Sequence, residues 1–178
     1  MSEIREKYIV EIERSSETGE VLSEAWRSPD TLELHRIGAP ALTNYWGNSR
    51  GKITEQYYEN GKRCNGPGGE PQSRAWLFGY LTTEEWVPGI DRDPSHPYYI
   101  SYHRSGRRHD EKYSNHPDGL RELEYDDQTG NIVCEEWKDA KTGVLTTICR
   151  DPITSEIIER ETYPKHKPVI DSDPDFSP

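Results

Sequence analysis

The residues best suited to chemistry crowd into one stretch, His103-Arg104-Ser105-Gly106-Arg107-Arg108-His109-Asp110, with His116 shortly after. Two histidines and an aspartate are a donor set for zinc, and arginines grip phosphate or carboxylate groups. A turn separates His103 from His109, however, and side chains on a strand alternate between faces, so convergence on one ion is not assured. The stretch therefore reads as a hairpin tip. Arg104, Arg107 and Arg108 are its candidate contacts to an acidic group, and no metal is expected. A small metal-dependent enzyme using His103, His109, Asp110 or His116 is the competing reading.

Other catalytic patterns are missing. No serine sits in a Gly-x-Ser-x-Gly elbow. Gly66-Pro67-Gly68-Gly69 contains a proline and lacks the lysine and helix of a phosphate-binding loop. Cys64, Cys134 and Cys149 are odd in number and show no Cys-x-x-Cys spacing, which argues against a zinc site or a disulfide framework. Cys134 reads as a strand residue facing the core, and the three thiols suit a reducing cytoplasm. No catalytic residue and no cofactor are expected.

The elements that carry these residues come from an internal repeat. Thr18-Gly19-Glu20-Val21-Leu22-Ser23-Glu24-Ala25-Trp26 is echoed by Thr129-Gly130-Asn131-Ile132-Val133-Cys134-Glu135-Glu136-Trp137. An aromatic stands seven residues after the glycine in both, and again from Gly51 to Tyr58, Gly79 to Trp86 and Gly106 to Tyr113. Five residues after the glycine come Glu24, Gln56, Glu84, Glu111 and Glu135. Shorter relatives follow at Thr142-Gly143-Val144-Leu145 and Thr154-Ser155-Glu156-Ile157-Ile158. Glycine supplies the positive φ of a tight turn, and the β-branched and aromatic run behind it suits a half-buried strand.

The expected fold is all-β and mainly antiparallel, a β-hairpin repeat array or meander forming an extended, twisted or curved sheet. Residues 1–163 form one domain, and the Pro- and Asp-rich residues 164–178 form a tail that is disordered or draped on the surface. Two longer surface loops are expected at Cys64–Pro71 and Val87–Pro97. Leu, Ile, Val and Phe make up only ~17% of the chain, below the usual globular level. The 11 Tyr and 5 Trp compensate, which predicts a thin aromatic-rich sheet in place of a thick core.

Charge narrows the partners. A net charge of -11 argues against binding nucleic acid, which needs a basic footprint, and favours a basic protein or solubility alone. No apolar stretch is long enough for a membrane span, and Met1 to Lys7 do not read as a secretory signal. Stacked in register, Glu24, Glu84, Glu111 and Glu135 would form an acidic stripe facing a basic partner. The plainer reading keeps them as outward charges that discourage edge-to-edge association. Trp26, Tyr58, Trp86, Tyr113 and Trp137 read as a core ladder more naturally than as an exposed strip.

Tyr57-Tyr58-Glu59-Asn60-Gly61-Lys62-Arg63 resembles the Tyr-x-x-Asn-Gly-Lys core of MORN-like repeats in bacterial and phage proteins. Tyr102-His103-Arg104-Ser105-Gly106-Arg107-Arg108-His109 resembles a second copy. Leu34-His35-Arg36-Ile37-Gly38-Ala39-Pro40-Ala41 is similar to the His-Arg and Gly-Pro-Ala continuation of such cores, and Gly66-Pro67 is a weaker echo. The resemblance spans roughly residues 31 to 137. It implies an antiparallel hairpin array presenting a broad face to partners, with no enzymatic activity. Some proteins with such repeats are similar to antitoxin or immunity proteins.

The functional expectation is a non-enzymatic protein-binding chain, in its sharpest form an immunity-type inhibitor of a basic partner. An acidic nucleic-acid mimic that blocks a DNA-binding protein is the alternative beside the metal enzyme. Edge strands offer a route to a homodimer.

Overall fold

In a computed structural model the protein is described over residues 6–47, 51–88 and 93–163. The expected tail at 164–178 and the centre of the second long loop, 89–92, lie outside the described residues. Fourteen strands are described, in this order: β1 (Ile9–Arg14), β2 (Val21–Arg27), β3 (Leu42–Tyr45), β4 (Lys52–Gln56), β5 (Tyr58–Glu59), β6 (Lys62–Arg63), β7 (Ser73–Leu77), β8 (Tyr80–Glu85), β9 (Tyr99–Tyr102), β10 (Arg108–Lys112), β11 (Leu120–Tyr125), β12 (Ile132–Lys138), β13 (Leu145–Arg150) and β14 (Ile157–Tyr163).

Twelve of them form one antiparallel sheet in strict sequence order, interrupted only where β5 and β6 leave it to make a side hairpin. The sheet is an open meander, as the repeat predicts. One short 3-10 turn, Pro67–Gly69, occupies the first of the two long loops.

Most strand residues are half-buried, and the buried apolar residues are few: Ala25, Ala41, Tyr57, Trp86, Ile100, Tyr113, Leu120 and Leu123 among those described. Tyr113, Leu120 and Leu123 form a cluster with Tyr125, Ile132 and Trp137 around it. A sheet this thin depends on pairs of side chains facing each other across neighbouring strands, each worth about 0.2–1 kcal/mol.

Four of the hairpins share one turn. In each, the N–H of the fifth residue donates to the carbonyl of the first, and the first N–H donates to the carbonyl of the sixth. This closes Ser15–Glu20, Asp126–Asn131, Asp139–Val144 and Asp151–Glu156. The fifth residue is left-handed: Gly19, Gly130 and Gly143 at φ 73, 74 and 72, but Ser155 at φ 59. The first residue caps the turn from within. Asp126 Oδ1, for instance, accepts from the Thr129 N–H at 2.7 Å and the Thr129 hydroxyl at 2.9 Å. The same backbone donors hold the carboxyls of Asp126, Asp139 and Asp151 below their usual range.

Among these four only the last has a side chain where the backbone turns left-handed, as Leu32 (φ 60) also does in the Ser28–Glu33 turn closed the same way after β2. The conformation costs an L-residue roughly 1–2 kcal/mol. Ser155→Gly should therefore stabilise the protein by about 1 kcal/mol and raise Tm by about 2–4 °C. Differential scanning calorimetry checks this, and an unchanged or lower Tm would refute it.

The cysteine expectation needs correction. Cys134 on β12 and Cys149 on β13 stand directly opposite each other and form a disulfide, with Cα atoms 4.3 Å apart. Cys134 is half-buried and bonded, not a free core thiol. A hairpin register carries residues 15 apart in sequence into contact, and counting cysteines could not reveal that. Cys64 is free.

Candidate functional site

The register lays the repeat glutamates in one row across the sheet. Glu24 faces Thr43, and the row runs on through Glu55, Arg74, Glu84, Ile100, Glu111, Leu123 and Glu135. Four members are those expected from the sequence, and they do lie in line. They are not, however, a bare acidic stripe, because each sits against donors or cations of the sheet itself.

Glu111 is only 2% exposed. It pairs with Arg108 and accepts from the Tyr113 hydroxyl at 2.7 Å and the Tyr125 hydroxyl at 2.9 Å. Glu84 pairs with Arg74 at 3.0 Å and accepts from Tyr102 at 2.6 Å. Glu135 pairs with Arg150 at 2.6 Å and accepts from the Trp137 indole at 3.0 Å. Glu24 lies near the Tyr45 hydroxyl and, after burial, helps to raise its pKa. Buried carboxylates persist only when paired and hydrogen-bonded, and in this row they bind the strands together.

Sequence reasoning missed Glu55, which is 9% exposed and paired with Lys52. Gln56 was expected in its place. The β3–β4 turn closes Trp46 on Gly51, so its glycine is the sixth residue of the turn where Gly19 is the fifth. Everything after Gly51 is therefore one residue early. The same shift makes Tyr57 (7% exposed) the buried aromatic of this unit, while Tyr58 belongs to the side hairpin β5–β6. The doubled aromatic Tyr57-Tyr58 was the available signal.

Burial, with the carboxylate at their hydroxyls, raises the phenols of this row. Tyr125 is pushed up to about 12, and Tyr102 and Tyr113 rise further. These side chains are neutral in the fold, whereas an unfolded tyrosine ionises near 10. Their contribution is complete below pH 10 and is lost as pH climbs through the folded values. The urea midpoint should hold up to about pH 10 and then fall steeply. Ultraviolet titration should show three tyrosines ionising only with unfolding; early, simple ionisation of all tyrosines would contradict it.

The arginines of the β9–β10 turn divide by role. Arg108 serves Glu111, and Arg107 donates to the carbonyls of Asp127 and Gln128, tying its turn to the next. Arg104 is exposed and lies over the Tyr80 ring, 5.3 Å from its centroid. On the same end of the sheet Phe78, 61% exposed, stacks on Trp46 at 5.7 Å.

The histidines part company. His116 lies beyond the far end of β10, packed edge-on to Tyr113. His103 and His109 do meet, their rings 4.4 Å apart, and His103 Nε2 is 3.0 Å from the Tyr125 carbonyl oxygen. Beside them His109 Nδ1 is 3.1 Å from Asp110 Oδ2.

The opposite face carries the open negative charge. Two rows cross β10–β14 on that side. One runs Lys112, Glu122, Glu136, Thr147, Glu161; the other runs Asp110, Glu124, Cys134, Cys149, Glu159. Lys112 is the single lysine or arginine in them, 3.2 Å from Glu122. Glu122 and Glu136 face each other directly, a like-charge pairing that costs stability. Glu124, Glu136, Glu159 and Glu161 have no cationic partner among the described residues.

No helix among the described residues is long and apolar enough to cross a membrane. Comparison of the chain with protein-family models, with curated proteins and with solved structures finds no match.

Proposed function

We propose that this chain is a non-enzymatic binding protein whose acidic face on β10–β14 docks a basic protein, in its sharpest form as an immunity-type inhibitor. One contrast carries the reading. On one face of the sheet each repeat carboxylate is met by internal donors, while on the other Glu124, Glu136, Glu159 and Glu161 are left open around an unfavourable Glu122–Glu136 pair. A sheet that neutralises carboxylates in one row and accepts repulsion in another is using the second for something outside itself. Basic surfaces would be steered to such a face at rates that fall with salt. The resemblance to MORN-like repeats supports the same reading.

The test is a pull-down from the native host with the wild-type chain and with Glu124→Gln/Glu136→Gln/Glu159→Gln/Glu161→Gln. A stoichiometric basic protein, held by the wild type and lost by the variant, is expected. No partner, or one retained equally by the variant, would overturn it.

The same rows of carboxylates favour a second reading, a nucleic-acid mimic. In that case the captured protein would bind DNA, and DNA would compete for it. A cytoplasmic location would require Cys134 and Cys149 to work as thiols, whereas an oxidising compartment suits the bonded pair.

A further inference from the structure

His109 and Asp110 are adjacent in sequence, and on a regular strand they would point to opposite faces. The register of β10 against β9 shows why they do not. Arg108 faces Tyr102 and Glu111 faces Ile100, so His109 and Asp110 together oppose the single residue Ser101. This is a β-bulge, which re-aims one side chain and is over-represented beside functional sites. It turns the His109 imidazole onto the side of Asp110. The next strand supplies a third donor from the same face, because Glu124 on β11 stands directly opposite Asp110.

One donor atom each from His109, Asp110 and Glu124 lies within 4.8 Å of the other two. The His109 Nδ1 to Asp110 Oδ2 separation of 3.1 Å matches the roughly 3.0–3.4 Å between neighbouring ligands of an ion bound at about 2.0–2.1 Å. Glu124 is exposed, so it can rotate to close the third position without disturbing a packed neighbour. Support around the donors is already present. The Ser101 hydroxyl donates to Asp110 Oδ2 at 2.8 Å, and the Asp110 N–H donates back to the Ser101 Oγ at 3.1 Å. The His103 ring packs against that of His109. Partners of this kind fix the orientation of ligating groups and are part of working metal sites.

We infer that His109, Asp110 and Glu124 form a binding site for one divalent transition-metal ion of the Zn2+ or Mn2+ class on the bulge of β10. One imidazole and two carboxylates suit such ions better than Ca2+, which takes six to eight oxygens, or Mg2+, which keeps most of its waters. Three protein donors leave positions open to water. The site shares Glu124 with the docking face, but ion binding by the chain alone needs no partner protein and so tests it apart from the docking proposal.

The experiment is isothermal titration of the full chain with ZnCl2 and, separately, MnCl2, alongside His109→Gln, Glu124→Gln and His116→Gln, with circular dichroism confirming the fold of each variant. The wild type is expected to bind one ion. Affinity should fall at least about tenfold in His109→Gln and Glu124→Gln and stay within about twofold in His116→Gln. Tm should rise by about 5 °C at a hundredfold excess of ion over Kd, a rise missing from the first two variants. Absence of one-to-one binding would overturn the site. So would an affinity that is unchanged in His109→Gln and Glu124→Gln, or that falls as far in His116→Gln. Should His109→Gln fail to fold, Glu124→Gln, an exposed substitution, decides alone.

Discussion

Glu111→Ala should cost about 2–3 kcal/mol of folding stability, a large share of the roughly 5–15 kcal/mol that holds most domains together. The carboxylate is 2% exposed and has three partners: the Arg108 guanidinium and the hydroxyls of Tyr113 and Tyr125. Removing it leaves the Tyr113 and Tyr125 hydroxyls without their acceptor beside the apolar cluster, while the Arg108 guanidinium, its side chain 56% exposed, can turn to water. The cost comes from the two hydroxyls, which keep their desolvation penalty once the acceptor is gone, while the half-exposed cation adds little. Glu111→Gln keeps the shape and one acceptor oxygen and should lose about half as much. Urea denaturation followed by tryptophan fluorescence measures both. A loss under about 1 kcal/mol for the alanine variant would mean that the row contributes little.

Reduction of the Cys134–Cys149 disulfide should be the second large effect. The bond closes a loop with a sequence separation of 15, for which the chain-entropy account gives about 3 kcal/mol. Cys134→Ser/Cys149→Ser should therefore unfold at markedly lower urea than the oxidised wild type. The wild type in dithiothreitol should move to meet it, while the variant should not respond to the reductant. Identical midpoints for oxidised and reduced wild type would refute a structural role for the bond. The disulfide lies on the acidic face, with Glu124 opposite Cys134 and Glu159 opposite Cys149. Its loss would therefore also loosen the rows proposed to receive a partner.

The regular part of this architecture was legible because it is local. A left-handed turn residue, most often glycine, with a strand-forming run behind it describes a hairpin, and hairpins in series make a meander. The C-terminal hairpin at Asp126–Asn131 carries the full repeat, and those at Asp139–Val144 and Asp151–Glu156 are legible from their turn and strand residues alone.

What the sequence hid depends on register. Glu24, Glu84, Glu111 and Glu135 were identifiable as a set, but nothing local to them reveals that Arg74, Arg108, Arg150 and four tyrosines will stand beside them. Glu55 was hidden by a turn in which glycine comes one residue later. The meeting of His109 with Asp110 was hidden by a bulge, which breaks the alternation on which the objection to a metal site rested. The open carboxylates Glu124, Glu136, Glu159 and Glu161 carry no repeat signal, and they emerge only when strands far apart in sequence are laid side by side.

Because the strands of the large sheet pair in chain order, with only the β5–β6 hairpin set aside, the molecule is close to one-dimensional. A chain whose strand pairings are all between consecutive strands of the sheet need not wait for distant parts to find each other, so folding should be fast for an all-β protein of this size. Disruption should also travel along it as along a row of coupled units, entering at β1 and β14, whose residues are exposed throughout. Amide hydrogen exchange should therefore be graded, slowest in the middle strands β8–β11 and quickest at the two ends. The Cys134–Cys149 cross-link would act as a stop near one end: opening that starts at β14 would have to pass it before reaching β12.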